Sequence, residues 1–164
     1  MSLWRPAYVA IGSNLQSPRE RVLDAMDRIG HLSGTPLLRS LLYLSKPLGP
    51  QDQPDYVNAA VGLLTQLGAR ELLNALLGIE RSMGRSRQER WGPRVIDLDL
   101  LWMVDAAVDE PGLTVPHPGV SIRNFVLYPL ADIAPTMKIQ GIGTVLDLKR
   151  SVGGDGISVL ENEC

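Results

Sequence analysis

Apolar and polar positions along this 164-residue chain follow two rhythms, broken by two stretches with neither. Ala7–Gly12 (AYVAIG) is a short apolar run closed by glycine, which predicts a buried strand. Ser17, Pro18 and Glu20 then predict a helix start, with Ser17 as N-cap and Pro18 in the first turn. Val22, Leu23, Met26 and Ile29 recur at helical spacing, and Gly30 closes the segment. Pro36–Ser45 predicts a second strand and Tyr56–Leu67 a third. Between them Lys46–Asp55 (KPLGPQDQPD) holds three prolines and a glycine and predicts an irregular loop. Ala69–Gly84 is the clearest helix, its apolar face made by Leu72, Leu73, Leu76, Leu77 and Ile79. A second loop, Arg85–Pro93, leads into RVIDLDLLWMV, a fourth strand. Beyond it the pattern predicts a short extended piece, a turn and a short helix from Asn124 to Ile133. The last thirty residues are rich in glycine and show no clear period.

The order β-α-β-β-α-β plus a tail predicts a ferredoxin-like α+β fold, a mostly antiparallel sheet with helices packed on one face. The length suits a single domain over residues 1–164. Both loops are long for a compact domain, which marks them as functional or disordered.

Composition narrows the classes. With 45% hydrophobic and 21% charged residues the chain reads as an ordinary globular protein. No apolar run reaches the roughly 18 residues of a membrane span, so no membrane association is expected. The N-terminus shows no apolar secretory segment. The one cysteine, Cys164, allows neither a disulfide within the chain nor a cysteine metal site, and the expectation is a cytoplasmic protein. A net charge of −2 argues against a nucleic-acid track. Yet thirteen of the sixteen basic residues are arginines, and five of these lie between Arg81 and Arg94. Such a patch suits a small anionic ligand, or else a solvated helix end.

The acids are the sharper signal. Side chains alternate along a strand, so Asp97 and Asp99 share a face, with Cα atoms roughly 6.6 Å apart. Ile96, Leu98, Leu100 and Trp102 are assigned to the opposite face, toward the helices. Two carboxylates so spaced can bracket hard cations such as Mg²⁺; they can equally be a polar strand face paired with arginines. Arginine forks bind phosphate bidentately. Carboxylates, cations and arginines together describe a nucleotide phosphoryl-transfer site, and one without a P-loop, whose motif is absent. Gly12–Asn14 (GSN) would supply backbone amides at a strand end, or form a plain turn.

Three stretches, in chain order PLGPQDQPDYVNAA, RWGPRVIDLDLL and VPHPGVSIRNF, at this spacing, closely resemble the 6-hydroxymethyl-7,8-dihydropterin pyrophosphokinase family. The similarity runs from about Tyr8 to Pro135. It implies the ferredoxin-like fold reached above and transfer of diphosphate from ATP to the pterin hydroxymethyl group, releasing AMP, a step of folate biosynthesis. It also implies two Mg²⁺ ions held by Asp97 and Asp99, and loops at Lys46–Asp55 and Arg85–Pro93 that close over the site. Family pterin positions match Ser45, Leu48, Tyr56, Asn58, Trp91 and Phe125. Family ATP positions match Glu80, Arg85, Arg87, Arg94, His117 and Arg123, with Arg85 and Arg94 the candidates for stabilising the transferred group. From the residues alone, Tyr56 and Phe125 are equally core residues, and His117 equally a loop histidine framed by Pro116 and Pro118. The expected partners are ATP and the pterin, with no nucleic acid, and the expected state is a monomer.

Overall fold

The computed structural model describes residues 3–15, 17–47, 53–84 and 95–160. In chain order its elements are β1 (Arg5–Ser13), α1 (Pro18–Gly30), β2 (Leu38–Arg39), β3 (Tyr43–Ser45), β4 (Tyr56–Thr65), α2 (Ala69–Ser82) and β5 (Asp97–Met103). There follow β6 (Val108–Glu110), β7 (Leu113–Val115), α3 (Asn124–Ile133), β8 (Lys138–Ile139), β9 (Gly143–Thr144), α4 (Val145–Val152) and β10 (Ile157–Val159). The main sheet has the order β10-β3-β4-β1-β5, with β2 also paired to β4, and its pairings are antiparallel. β1 and β3 therefore run parallel with β4 between them, the split βαβ arrangement the element order predicts.

The helices sit where their apolar stripes require. β1 buries every second residue, Ala7, Val9, Ile11 and Ser13. α1 covers that face with Val22, Ala25, Met26 and Ile29, packing on β1 and β4. α2 lies beside it on β5 and buries Ala69, Leu72, Leu76 and Glu80, a stripe at three- and four-residue steps. Leu73, Leu77 and Ile79, expected on the buried face, are only half-buried, because they lie on the flanks of that stripe and not along its centre.

Local differences from the sequence reading have physical causes. β1 runs through Gly12 to Ser13 because both pair with β4. Pro18 does open α1, but Ser17 makes no side-chain cap. Its backbone is left-handed (φ 61°), not the extended form that capping needs. The strand expected over Pro36–Ser45 is split. Arg39 faces Val61 whereas Tyr43 faces Asn58, so the outer strand carries one residue more than its partner. Ser40 bridges the gap: its Oγ accepts from the Ala60 N–H at 2.8 Å while its own N–H donates to the Ala60 carbonyl at 3.0 Å.

A second irregularity moves a large side chain. Tyr8 pairs with Trp102 and Val9 with Leu100, leaving Leu101 as an extra residue in β5. Alternation restarts beyond it, and Trp102 falls on the face of Tyr8, Ala10 and Asp99, not with Leu98 and Leu100 as expected.

The described part of the tail, up to residue 160, is regular structure. β8 and β9 form a hairpin, α4 packs on α3, and β10 adds to the outer edge of β3. α3 lies on the sheet face away from α1 and α2, for Tyr43, opposite Asn58, reaches Asp132 of α3 with its hydroxyl. The core helices thus share one face as expected, and α3, with α4 packed on it, covers part of the other.

Candidate active site

Register assembles the site before any loop is considered. Directly opposed residues in antiparallel strands share a face. Tyr43, Asn58, Gly12 and Asp97 oppose one another in turn across β3, β4, β1 and β5. Ser45 opposes Tyr56 on one side of that row, and Asp99 opposes Ala10 on the other. All stand on the face away from α1 and α2. An amide and hydroxyl group lies on one side of Gly12, and the two carboxylates on the other. Asn58 and Asp97 are two strand spacings apart, roughly 9.6 Å between backbones. Gly12 offers no side chain between them. A Cβ there would sit 3.4 Å from Asn58 Oδ1 and 3.5 Å from Tyr56 Cδ1, so the strip is a bare floor flanked by both.

Asn58 is buried and its Nδ2 donates to Ser45 Oγ at 2.6 Å. That bond fixes the amide with Oδ1 on the Gly12 side, an acceptor aimed over the floor. Tyr56 is half-buried beside it.

Asp97 and Asp99 are partly exposed, as a carboxylate meant to meet an ionic ligand should be. The residue between them is held from behind. β5 is the last strand of the sheet, and the N–H of Leu98 donates to Glu80 Oε2 at 2.8 Å. Glu80 is only 2% exposed, so the resemblance's ATP residue stands here as a brace between α2 and the strand of both aspartates. It satisfies an edge donor that would otherwise be buried without a partner.

His117 approaches from the segment after β7. Its backbone N–H donates to the carbonyl of Leu101, the bulge residue, at 2.8 Å. Nδ1 accepts from the Gly119 N–H at 3.0 Å, which leaves the neutral ring's proton on Nε2, 4.0 Å from Asp99 Oδ1. Burial lowers the imidazole pKa, the Arg123 charge lowers it further and Asp97 opposes both, so the ring is neutral at pH 7. Arg123 precedes α3 and its guanidinium carbon lies 5.8 Å from the centre of the Phe125 ring, a cation–π contact. It fits because position 119 is glycine: a Cβ there would come within 2.7 Å of Arg123 Nε.

Ser45, Tyr56, Asn58, Asp97 and Asp99 are thus brought to one sheet face, His117 stands beside the carboxylates within the field of Arg123, and Phe125 lies against the Arg123 guanidinium. Leu48, Arg85, Arg87, Arg90, Trp91 and Arg94 lie outside the described residues. Three positions were missed by sequence reasoning. Gly119 was hidden inside an ordinary-looking turn. Ser13 and Asn14 were considered only for their backbone amides, whereas their side chains tie the end of β1 to both loop roots. The Ser13 hydroxyl donates to the Val95 carbonyl, and Asn14 Nδ2 donates to Gln53 Oε1 and the Pro54 carbonyl, each at 3.0 Å. Both side chains are buried; in the sequence the only signal is two polar residues directly after the apolar run that ends at Gly12.

Among the described residues no three His, Cys, Asp or Glu side chains gather as a metal cage. Two half-exposed carboxylates on one face still fit Mg²⁺, which takes one or two carboxylates and fills its other positions with phosphate and water oxygens.

The family model for 7,8-dihydro-6-hydroxymethylpterin-pyrophosphokinase (HPPK) matches residues 8–135. A 2-amino-4-hydroxy-6-hydroxymethyldihydropteridine pyrophosphokinase of Pseudomonas aeruginosa is 50% identical over 133 residues, 80% of this chain and 82% of that protein. The protein of the same name from Methylorubrum extorquens is 40% identical over 159 residues, covering 94% of this chain and 98% of that one. Among solved structures, wild-type Plasmodium falciparum HPPK-DHPS with STZ-DHP superposes with a TM-score of 0.73. The match covers 92% of this chain and 43% of that longer one at 13% identity, a likeness of fold alone. With more than three quarters of its length matched, the chain belongs to the 7,8-dihydro-6-hydroxymethylpterin-pyrophosphokinase family.

Proposed function

We propose that this chain transfers the β,γ-diphosphate of ATP to the hydroxymethyl oxygen of 6-hydroxymethyl-7,8-dihydropterin, yielding AMP and the pterin diphosphate for folate biosynthesis. The observation that carries the reading is the row Asn58–Gly12–Asp97: a fixed amide acceptor and a carboxylate pair on one face, across a floor with no side chain.

The pterin is flat and edged with N–H groups. Asn58 Oδ1 accepts from that edge, held in orientation by Ser45. Tyr56 and Phe125 offer ring faces to the heterocycle, and Leu48 and Trp91 complete the pocket from the two loops. The pterin hydroxyl oxygen bonds to the β-phosphorus, the bond from that phosphorus to the α,β-bridging oxygen breaks, AMP departs with that oxygen, and the hydroxyl proton is released. Neutral His117 donates through Nε2 to a phosphate oxygen near Asp99, and Arg123 adds a fixed positive charge. Arg85, Arg87 and Arg94 bind the triphosphate, with Arg85 and Arg94 on the transferred group. Asp97 and Asp99 would hold two Mg²⁺ ions. Bound there, they would supply neutralisation of the phosphate charge. Glu80 acts through the strand it braces. The chain works as a monomer in the cytoplasm without nucleic acid. No described helix is long and apolar enough to cross a membrane.

The test is incubation with ATP, Mg²⁺ and hydroxymethyldihydropterin. AMP release that depends on the pterin supports the proposal. ADP as product, or phosphate release without pterin, refutes it.

A further inference from the structure

The residues after Ile139 lie beyond the family match, which stops at 135, yet they reach the substrate face from two directions. β10 pairs with the outer edge of β3, placing Ile157 opposite Ser45, and the Leu160 N–H donates to the Leu42 carbonyl at 2.8 Å. β3 is short, with three residues, and Ser45 at its end holds the Asn58 amide. The turn leading into β10 is tied to the start of α3. Asn124 Nδ2 donates to the Asp155 carbonyl at 2.8 Å and to the Gly153 carbonyl at 3.3 Å. Asn124 stands between Arg123 and Phe125 in sequence. The turn is shaped for this contact: Gly153 and Gly156 are left-handed (φ 70° and 72°), and Gly154 lies under the Tyr128 hydroxyl, where a Cβ would come within 2.8 Å. The aliphatic stem of Lys46, the residue after β3, passes Gly156.

We infer that residues 153–160 form a strap that sets the distance between the two walls of the pterin pocket, with Asn124 as its positioning residue. One wall is the Ser45–Asn58 pair, the other the α3 start with Phe125. Without the strap the three-residue edge strand is held by β4 alone, and the helix start loses its tie to the turn before β10. The acceptor of Asn58 and the ring of Phe125 then lose their fixed spacing. The carboxylates of β5 lie at the far edge of the sheet and stay in place.

The inference rests on the proposed pterin site, and its test separates the two. Two full-length variants act on different ends of the strap. Asn124→Asp keeps the shape but replaces the amide donor with a carboxylate facing two carbonyls. Ser158→Pro removes an N–H from the β10–β3 ladder, where alternation from Leu160 places a hydrogen-bonded pair at Ser158 and Leu44. Steady-state kinetics are read with each substrate varied, beside the melting temperature. Ser158→Pro, acting at the β3 end, is expected to raise KM for the pterin about tenfold while kcat and KM for ATP stay within about twofold; Asn124→Asp, next to Arg123, is expected to raise KM for the pterin about tenfold and KM for ATP by clearly less, with kcat within about twofold. A lower melting temperature with unchanged pterin KM overturns the strap and leaves only a stabilising tail. Equal loss for both substrates, or a fall in kcat, overturns it as well. Absence of pterin-dependent AMP release by the unaltered protein refutes the functional reading instead.

Discussion

At the scale of single residues the site depends on where side chains are missing as much as on where they are present. Asp97 is half-exposed and outside the core, so Asp97→Asn should fold normally by circular dichroism. It should lose roughly a thousandfold or more in turnover, since metal neutralisation of phosphate supplies several kcal/mol at the transition state. Normal turnover in that variant would remove the carboxylates from the phosphate role. Gly119→Ala should act differently. The atoms in its way are the flexible far end of Arg123, so the melting temperature should hold while the guanidinium is displaced. KM for ATP should then rise several-fold with pterin KM little changed; the reverse would detach Arg123 from ATP. The two aspartates were legible in the sequence because a strand has a period of two, and nothing interrupts it between Asp97 and Asp99. Trp102 was misplaced by the same rule, because one extra residue at Leu101 intervenes and leaves no mark in composition.

Among the elements, those with a strong apolar period were read well: α1, α2, β4 and the span of α3 differ from expectation only at their ends. The interrupted outer strand was not, because the break is held by one serine and by Asp132 accepting from the Leu41 N–H, contacts made far along the chain. Glu80 shows the same limit. The resemblance assigns it to ATP, and its bond to the backbone of β5 is a contact that no local pattern in the sequence shows. Glu80→Leu should cost about 1–3 kcal/mol in denaturant unfolding by leaving the Leu98 N–H unpaired, whereas Glu80→Gln, which keeps an acceptor, should cost clearly less. Equal costs would mean that charge, not the strand bond, is what matters. The α3–β3 contact has its own signature in pH. Burial, and then the hydrogen bond to Asp132, raise the Tyr43 pKa well above its ordinary value of 10.0. The folded state therefore keeps a proton that the unfolded chain loses, and stability falls as pH rises through and beyond 10. Tyr43→Phe should flatten that alkaline limb in melting curves taken from pH 8 to 11; an unchanged slope would assign it to other groups.

For the whole molecule, the order of elements sufficed for the ferredoxin-like sheet, because the split βαβ connection leaves few other ways to pair four strands. The tail was illegible for the opposite reason: its strands have two or three residues each and take their conformation from the edge they join. Since the carboxylates stand on a sheet completed by its own core, chelating magnesium should abolish AMP formation and leave the melting temperature of the substrate-free protein unchanged. A large drop on chelation would make the ion part of the fold. The bulge at Leu101 bears on how such a chain can vary in length. Upstream of it, one inserted residue between Asp97 and Asp99 would throw the two acids to opposite sides of the sheet and end the chemistry at a stroke. Downstream, the count restarts: Trp102 and Met103 keep their own partners in β1, and the Leu101 carbonyl holds the His117 backbone. The bulge is a joint between two stretches of sequence that are counted separately.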